Sequence, residues 1–134
     1  MLLVVALAVA VVVPSLGRGA DALRVRAEAA GFAGFLRYAR EQAITRREAQ
    51  EVRVDPEARL LMLGVPGSDV VRSTKRLSPL LRIAPELPAA LTVRFLPHGP
   101  SSGGSFRLEG PGGRVYLVTV DPLTGRVSNR RADS

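Results

Sequence analysis

The sequence is poor in the residues that carry chemistry. It has no cysteine and no tryptophan, one histidine (His98), and one lysine (Lys75) among its 19 basic residues. Without cysteine there is no disulfide framework and no thiolate metal site, and that absence suits either redox compartment. A lone histidine in a Pro97-His98-Gly99 turn, with no carboxylate pair near it, does not make a metal site of usual spacing, so His98 reads as a turn residue. The serines of the stretch GPSSGGS lack the G-x-S-x-G elbow and a histidine partner. The glycines of GPGG and SSGG lack the Lys-Ser/Thr that follows a phosphate loop. The residues therefore point to no enzyme, no metal, no cofactor and no small-molecule substrate. Aromatics make up only 4% of the chain. The core must come from Leu, Val, Ala and Ile, and stacking platforms for bases are scarce.

Negative charge is also in short supply. Twelve acidic residues face 19 basic ones, for a net charge of +7 and a pI near 11.3. Such a balance suits anionic partners; it is equally what an Arg-, Ala- and Gly-rich, GC-rich coding composition produces. The charge is unevenly spread, because nothing before Arg18 is charged. At 134 residues the chain is sized for one domain with an appended segment.

That segment is residues 1–17, MLLVVALAVAVVVPSLG. A helix over Leu2 to Leu16 would rise roughly 22 Å, short of the ~30 Å hydrocarbon core of a bilayer. By itself it reads as a signal-peptide core, an incomplete membrane span or a buried helix, and no basic n-region precedes it. After Gly17 the pattern turns amphipathic. Leu23, Ala27, Ala30, Gly34, Phe35, Tyr38 and Ala39 recur at helical spacing, with Phe32, Leu36, Ala43 and Ile44 beside them, and arginines and glutamates fill much of the rest. No proline interrupts residues 18–51, so the spacing predicts one helix, bent at Pro14, running to about Gln50. Gly31 and Gly34 weaken it by about 1 kcal/mol each relative to Ala. Arg18, Arg24 and Arg26 come directly after the apolar rod; by the positive-inside rule they favour a cytoplasmic position for the rest of the chain, unless a more basic segment lies upstream.

From residue 52 the period shortens. Val52-Arg53-Val54 and Arg59 to Leu63 read as a hairpin around Asp55-Pro56-Glu57-Ala58, and Val70 to Thr74 as another strand. Leu77 to Pro88, with three prolines, reads as irregular. Leu91 to Phe95, Phe106 to Leu108, Arg114 to Val120 and Arg126 to Ser128 alternate as strands between turn signals, and Asn129 to Ser134 reads as a frayed tail. The expected fold is α+β, a long N-terminal helix packed on an antiparallel sheet or small sandwich. Its parts are the apolar helix 1–17, the amphipathic continuation 18–51, a β-domain 52–129 and a tail 130–134.

These pieces together resemble a known group. The rod LLVVALAVAVVVPSL, the helix stretch YAREQAITRREAQEVRV with its Ala39-Arg40-Glu41-Gln42-Ala43-Ile44 motif, then VRFLPHG, SSGGSFRL and the closing VYLVTVDPLTGRV resemble the GspH/FimT group of type IV pilin-like proteins. These are minor pseudopilins of type II secretion systems and minor pilins of type IV pili. Members begin with a short basic leader, a glycine cleavage point, an aromatic residue and an acidic one. None of these precedes Leu2 here, and the expectation is that roughly 5–15 residues lie upstream, enough to bring the span to about 30 Å.

The resemblance implies a pilin-like fold and a mechanical role. The rod (Leu2, Leu3, Val4, Val5, Leu7, Val9, Val11, Val12, Val13 and Pro14) would sit in bacterial inner-membrane lipid as a single pass, with the β-domain in the periplasm. On assembly it would exchange lipid for the helices of other pseudopilins or pilins, with Ala6, Ala8 and Ala10 allowing close approach. It also implies a second option. Some minor pilins of the group bind DNA through a basic C-terminal stretch after a Gly-Arg pair, which here places Arg126, Arg130 and Arg131 as DNA-phosphate contacts; solvated charge is the alternative reading. A third reading, a secreted soluble β-domain with a cleaved signal, needs a basic n-region upstream.

Overall fold

The computed structural model describes residues 2–86 and 91–132, with side chains from Gly19 onward. A single helix, α1 (Leu2–Arg46), leads into eight strands. They are β1 (Gln50–Asp55), β2 (Leu60–Gly64), β3 (Val71–Arg76), β4 (Arg82–Pro85), β5 (Thr92–Phe95), β6 (Gly104–Glu109), β7 (Val115–Val120) and β8 (Val127–Arg131), with a 3₁₀ turn at Pro111–Gly113. They form two antiparallel four-stranded sheets, ordered β3-β2-β1-β5 and β4-β6-β7-β8. The α+β architecture expected from the sequence is the one observed.

The helix joins the sheets, touching β1 and β5 of one and β7 and β8 of the other. Its docking face is Val25, Ala29, Phe32, Leu36, Ala39 and Ala43 with Ala33 beside them, all fully buried. The alternating steps of four and three keep these side chains on one stripe of a 3.6-residue helix. They meet Val52 and Val54 of β1, Leu61 and Leu63 of β2, Val93 and Phe95 of β5, Phe106 and Leu108 of β6, and Val118 and Val120 of β7 in one core. At its centre Phe32 lies 5.3 Å from Phe106, ring to ring, at 55°. This distance lies within the range over which aromatic pairs attract one another.

The buried stripe is not the one the apolar spacing suggested. Leu23 is 67% exposed and Tyr38 and Ile44 are each 42% exposed, and Ala27, Ala30 and Gly34 are exposed with them. Only Ala39, Phe32, Leu36 and Ala43 of the expected set are fully buried; Phe35 packs at the edge of the core. The phase was ambiguous because this helix carries apolar and small residues on two opposite sides.

The helix also stops short of Gln50. Arg47 adopts φ 53°, and the Glu48 amide bonds back to the Ala43 carbonyl at 3.2 Å. This left-handed cap closes the helix without the usual glycine, so Gln50 begins β1 instead. Two further differences concern strands. The proline-rich stretch after Leu77 holds β4, an edge strand paired with β6 from Arg82↔Glu109 to Pro85↔Phe106; its proline sits at the strand's last position, where an edge tolerates it. The expected tail is also partly ordered. β8 pairs with β7 through Asn129, Arg130 and Arg131, and the Ala132 amide reaches the Val115 carbonyl at 2.8 Å.

Close approach between helix and sheet fixes one glycine. A Cβ on Gly110 would land on the Val25 methyls, so the β6–β7 turn can lie against the start of the docking stripe only because that side chain is missing. Gly34 has open space around it. Phe32→Ala should therefore cost about 3–5 kcal/mol, while Gly34→Ala should gain about 1 kcal/mol by raising helix propensity. Urea titrations of the two variants measure both.

Candidate interaction surfaces

The expected rod residues Leu2, Leu3, Val4, Val5, Leu7, Val9, Val11, Val12, Val13 and Pro14 lie outside the residues whose side chains are described. Among those that are, no helix is long and apolar enough to cross a membrane. The described surfaces begin past Arg18 and are of three kinds.

The first is the outward side of α1. Leu23, Ala27, Ala30, Gly34 and Tyr38 succeed one another at steps of four and three, opposite the docking stripe. A helix in a monomeric soluble fold normally shows charge on this side. Here the side is uncharged from Leu23 to Tyr38, small at Ala27, Ala30 and Gly34, with Arg26 and Arg37 along its flank and Glu41 continuing it beyond Tyr38.

The second is a basic seam where α1 runs beside the edge strand β8. Arg37 Nη2 donates to the Val127 carbonyl at 3.1 Å, and Arg40 Nε to the Thr124 carbonyl at 3.3 Å. The Arg37 guanidinium caps a carbonyl of the edge strand, which would otherwise invite another strand, and that of Arg40 one in the turn before it. Gly125, at φ 71°, permits the fit, since a Cβ there would strike the Gly99 carbonyl and the Arg40 guanidinium. The three arginines picked from the sequence are divided along this seam. Arg126 shares a cleft of about 290 Å³ with Arg37, Arg40 and Glu41. Arg131 lies at the other end, in a cleft of about 390 Å³ with Ala22, Leu23, Arg26, Arg114 and Tyr116. Arg130 has the same strand parity as Arg126 and is exposed. The helix arginines that complete both clusters were not picked from the sequence; only the pairing of α1 with β8 brings them there.

The third is a small charge network on the outer face of β1. Glu51 is largely buried, with Arg53 Nε at 2.9 Å and Arg94 Nη2 at 3.4 Å. The cavity beside it is only about 30 Å³, the space of one or two waters, so it is a structural bridge between β1 and β5 rather than a ligand site.

The residues screened for catalysis are engaged in turns. Ser101 Oγ donates to the Asp121 carbonyl at 2.9 Å and Ser102 Oγ accepts from the Arg94 amide at 2.9 Å. Ser105 and Thr119 share a hydroxyl contact at 3.3 Å. His98 is exposed in the turn after β5. Among the described residues no group of three or more His, Cys, Asp or Glu side chains is placed to hold a metal ion.

With this geometry the chain matches known proteins in two ways. Residues 28–124 match the family model described as type II transport protein GspH. Its fold is similar to the type IV minor pilin FimU of Pseudomonas aeruginosa, with a TM-score of 0.69 at 18% identity over 82% of this chain and 93% of that one. It is also similar to the minor pseudopilin EpsH from the type 2 secretion system of Vibrio cholerae, with a TM-score of 0.62 at 19% identity over 82% and 97% of the two chains. The solution structure of Escherichia coli GspH gives 0.61 at 17% identity over 82% and 89%. No curated protein matches the chain.

The seam separates arginines that hold the fold from arginines that do not. Arg37→Gln should lower stability by about 1 kcal/mol through loss of the Val127 contact. Arg126→Gln, whose side chain makes no hydrogen bond or ion pair among the described residues, should leave the melting temperature unchanged. Thermal melts of the two variants distinguish the roles.

Proposed function

From the premise that this chain belongs to the GspH family of minor pseudopilins and minor pilins, we propose that it is a structural subunit of a type II secretion pseudopilus or a type IV pilus, joined to its neighbours along α1. The observation that carries this reading is the second apolar side of the helix. One stripe is spent on the chain's own β-domain, yet Leu23, Ala27, Ala30, Gly34 and Tyr38 remain outside it. Small residues at such spacing let two helix backbones approach closely. The stripe follows the apolar residues 2–17 along the same helix; these would be held in inner-membrane lipid before assembly, with the β-domain in the periplasm, and would pass into the filament core afterwards. Subunit exchange from lipid to helix neighbours needs no catalytic group, in keeping with a surface built from packing and arginine rather than paired acids and bases.

A second reading has one observation in its favour. Arg126 is joined by Arg37 and Arg40 around one cleft, and Arg130 lies on the same strand face. DNA phosphates could be held there while Arg131 takes no part. This would make the subunit a DNA-capturing minor pilin.

Ala30→Arg tests the first reading. It should leave the fold intact to within about 0.5 kcal/mol, because the site is exposed. It should also abolish co-purification of the detergent-solubilised chain with the other pilin-like subunits of its own machine. Undiminished co-purification refutes the helix-face assignment. For the second reading, a gel shift with duplex DNA at low salt should weaken in an Arg126→Gln/Arg130→Gln variant, with the salt slope falling by about 1 per lost phosphate contact. Absence of any shift at low salt removes it.

A further inference from the structure

The cleft at the rod-proximal end of the seam has an unusual mixture of groups. An exposed leucine, Leu23, and a half-buried Tyr116 stand with three guanidiniums, Arg26, Arg114 and Arg131. Arg114 Nη1 holds the Pro111 carbonyl at 2.8 Å, and Arg131 has a partner of its own. Arg26 is exposed and makes no hydrogen bond or ion pair among the described residues. No acidic side chain lines the cleft; Glu28 accepts from the Ser78 amide at 3.1 Å, and Glu109 holds Arg107 at 2.7 Å. The cleft therefore presents net positive charge beside an apolar side chain and an aromatic ring.

Its position matters as much as its content. Leu23 lies about 9 Å and Arg26 about 14 Å beyond Gly17 along the helix axis. Helical side chains lean toward the N-terminus, which is toward the apolar rod. The headgroup layer adds roughly 5–7 Å to each side of the hydrocarbon, so side chains at these heights that reach back toward the rod meet its outer edge. A leucine, a tyrosine and arginines just past the end of a span are the set that settles at a lipid–water boundary, with the aromatic and apolar groups inward and the guanidiniums on phosphate.

We propose that this cleft binds the phosphate of an anionic phospholipid headgroup in the outer leaflet of the inner membrane, and so seats the β-domain on the bilayer before assembly. The proposal rests on the membrane-anchored reading of residues 2–17 given above. It explains why Arg26 comes after the rod on a side where the positive-inside rule disfavours it. There it contacts lipid phosphate, and the contact must break when the subunit leaves for the filament.

The absence of cysteine makes the test clean. The whole chain carries a single donor dye, either at Ala132→Cys beside the cleft or at Leu123→Cys, which is 82% exposed in the Asp121–Arg126 turn at the other end of β8. It is reconstituted in vesicles of phosphatidylcholine alone, or of phosphatidylcholine with phosphatidylglycerol, each with an acceptor on a headgroup. Energy transfer from position 132 should rise about twofold with phosphatidylglycerol and fall back at about 1 M salt, where screening acts within about 3 Å. Transfer from position 123 should not change. Arg26→Gln should abolish the rise, whereas Arg126→Gln, which removes the same charge about 20 Å further along the seam, should not. Equal transfer in the two vesicles, or equal loss with both variants, overturns the proposal. On a density gradient, co-flotation with both vesicles but no lipid dependence of the transfer refutes the cleft alone; failure to co-float with either refutes the anchor and the cleft together. A cleft that shifts duplex DNA in an Arg26-dependent way, while ignoring phosphatidylglycerol, belongs to nucleic acid and also overturns it.

Discussion

The whole arrangement depends on the seating of one helical stripe, Val25 to Ala43, across the junction of two sheets. Each sheet has one apolar face, and neither has a partner of its own size to cover it. The helix covers β1 and β5 on one side and β7 and β8 on the other, and Phe32 adds a ring contact to Phe106 of β6. Alanines dominate the rest of the stripe. They bring the helix backbone close to the strands but bury little area each, so the two phenylalanines and Leu36 carry a disproportionate share of the docking energy.

This stripe fixes everything outside it. Rotating the helix by half a turn would expose Phe32 and bury Leu23 and Tyr38; the observed phase leaves Ala27, Ala30 and Gly34 facing outward and carries Arg37 and Arg40 to the open edge of β8. The same phase brings Arg26 beside Arg114 and Arg131. The smooth helix face and the two basic clefts are thus consequences of one packing decision rather than separate features. The arginines divide into those held by the fold, such as Arg37, Arg40 and Arg114, and those such as Arg26 and Arg126 that are not, which a count of charge cannot separate.

Much of the architecture was legible in the sequence because the period of the apolar residues changes sharply near residue 52, and because turn residues mark most strand ends. Three parts were not. The phase of the helix was hidden by having two apolar sides, between which periodicity does not choose. The helix end was hidden because the left-handed cap is Arg47, a residue type that rarely takes that conformation. β4 and the end of β8 were hidden because edge strands tolerate proline and charge, so Pro85 and Arg130-Arg131 suggested irregular chain where pairing with β6 and β7 holds them. The surfaces were less legible than the fold. Arg126, Arg130 and Arg131 stood out as a cluster in sequence, but the clusters in space recruit Arg26, Arg37, Arg40 and Arg114 from elsewhere and separate Arg131 from Arg126.

The central claim is that α1 is divided into a face owned by this chain and a face offered to a neighbour. Thiol alkylation of single cysteines placed at 27, 29, 34 and 36, in the detergent-solubilised chain and again after assembly, reads this directly. The account predicts fast labelling at 27 and 34 that is suppressed on assembly, with 29 and 36 slow in both states. Fast labelling at 29 and 36 in the isolated chain, or undiminished labelling at 27 and 34 in the filament, would contradict it.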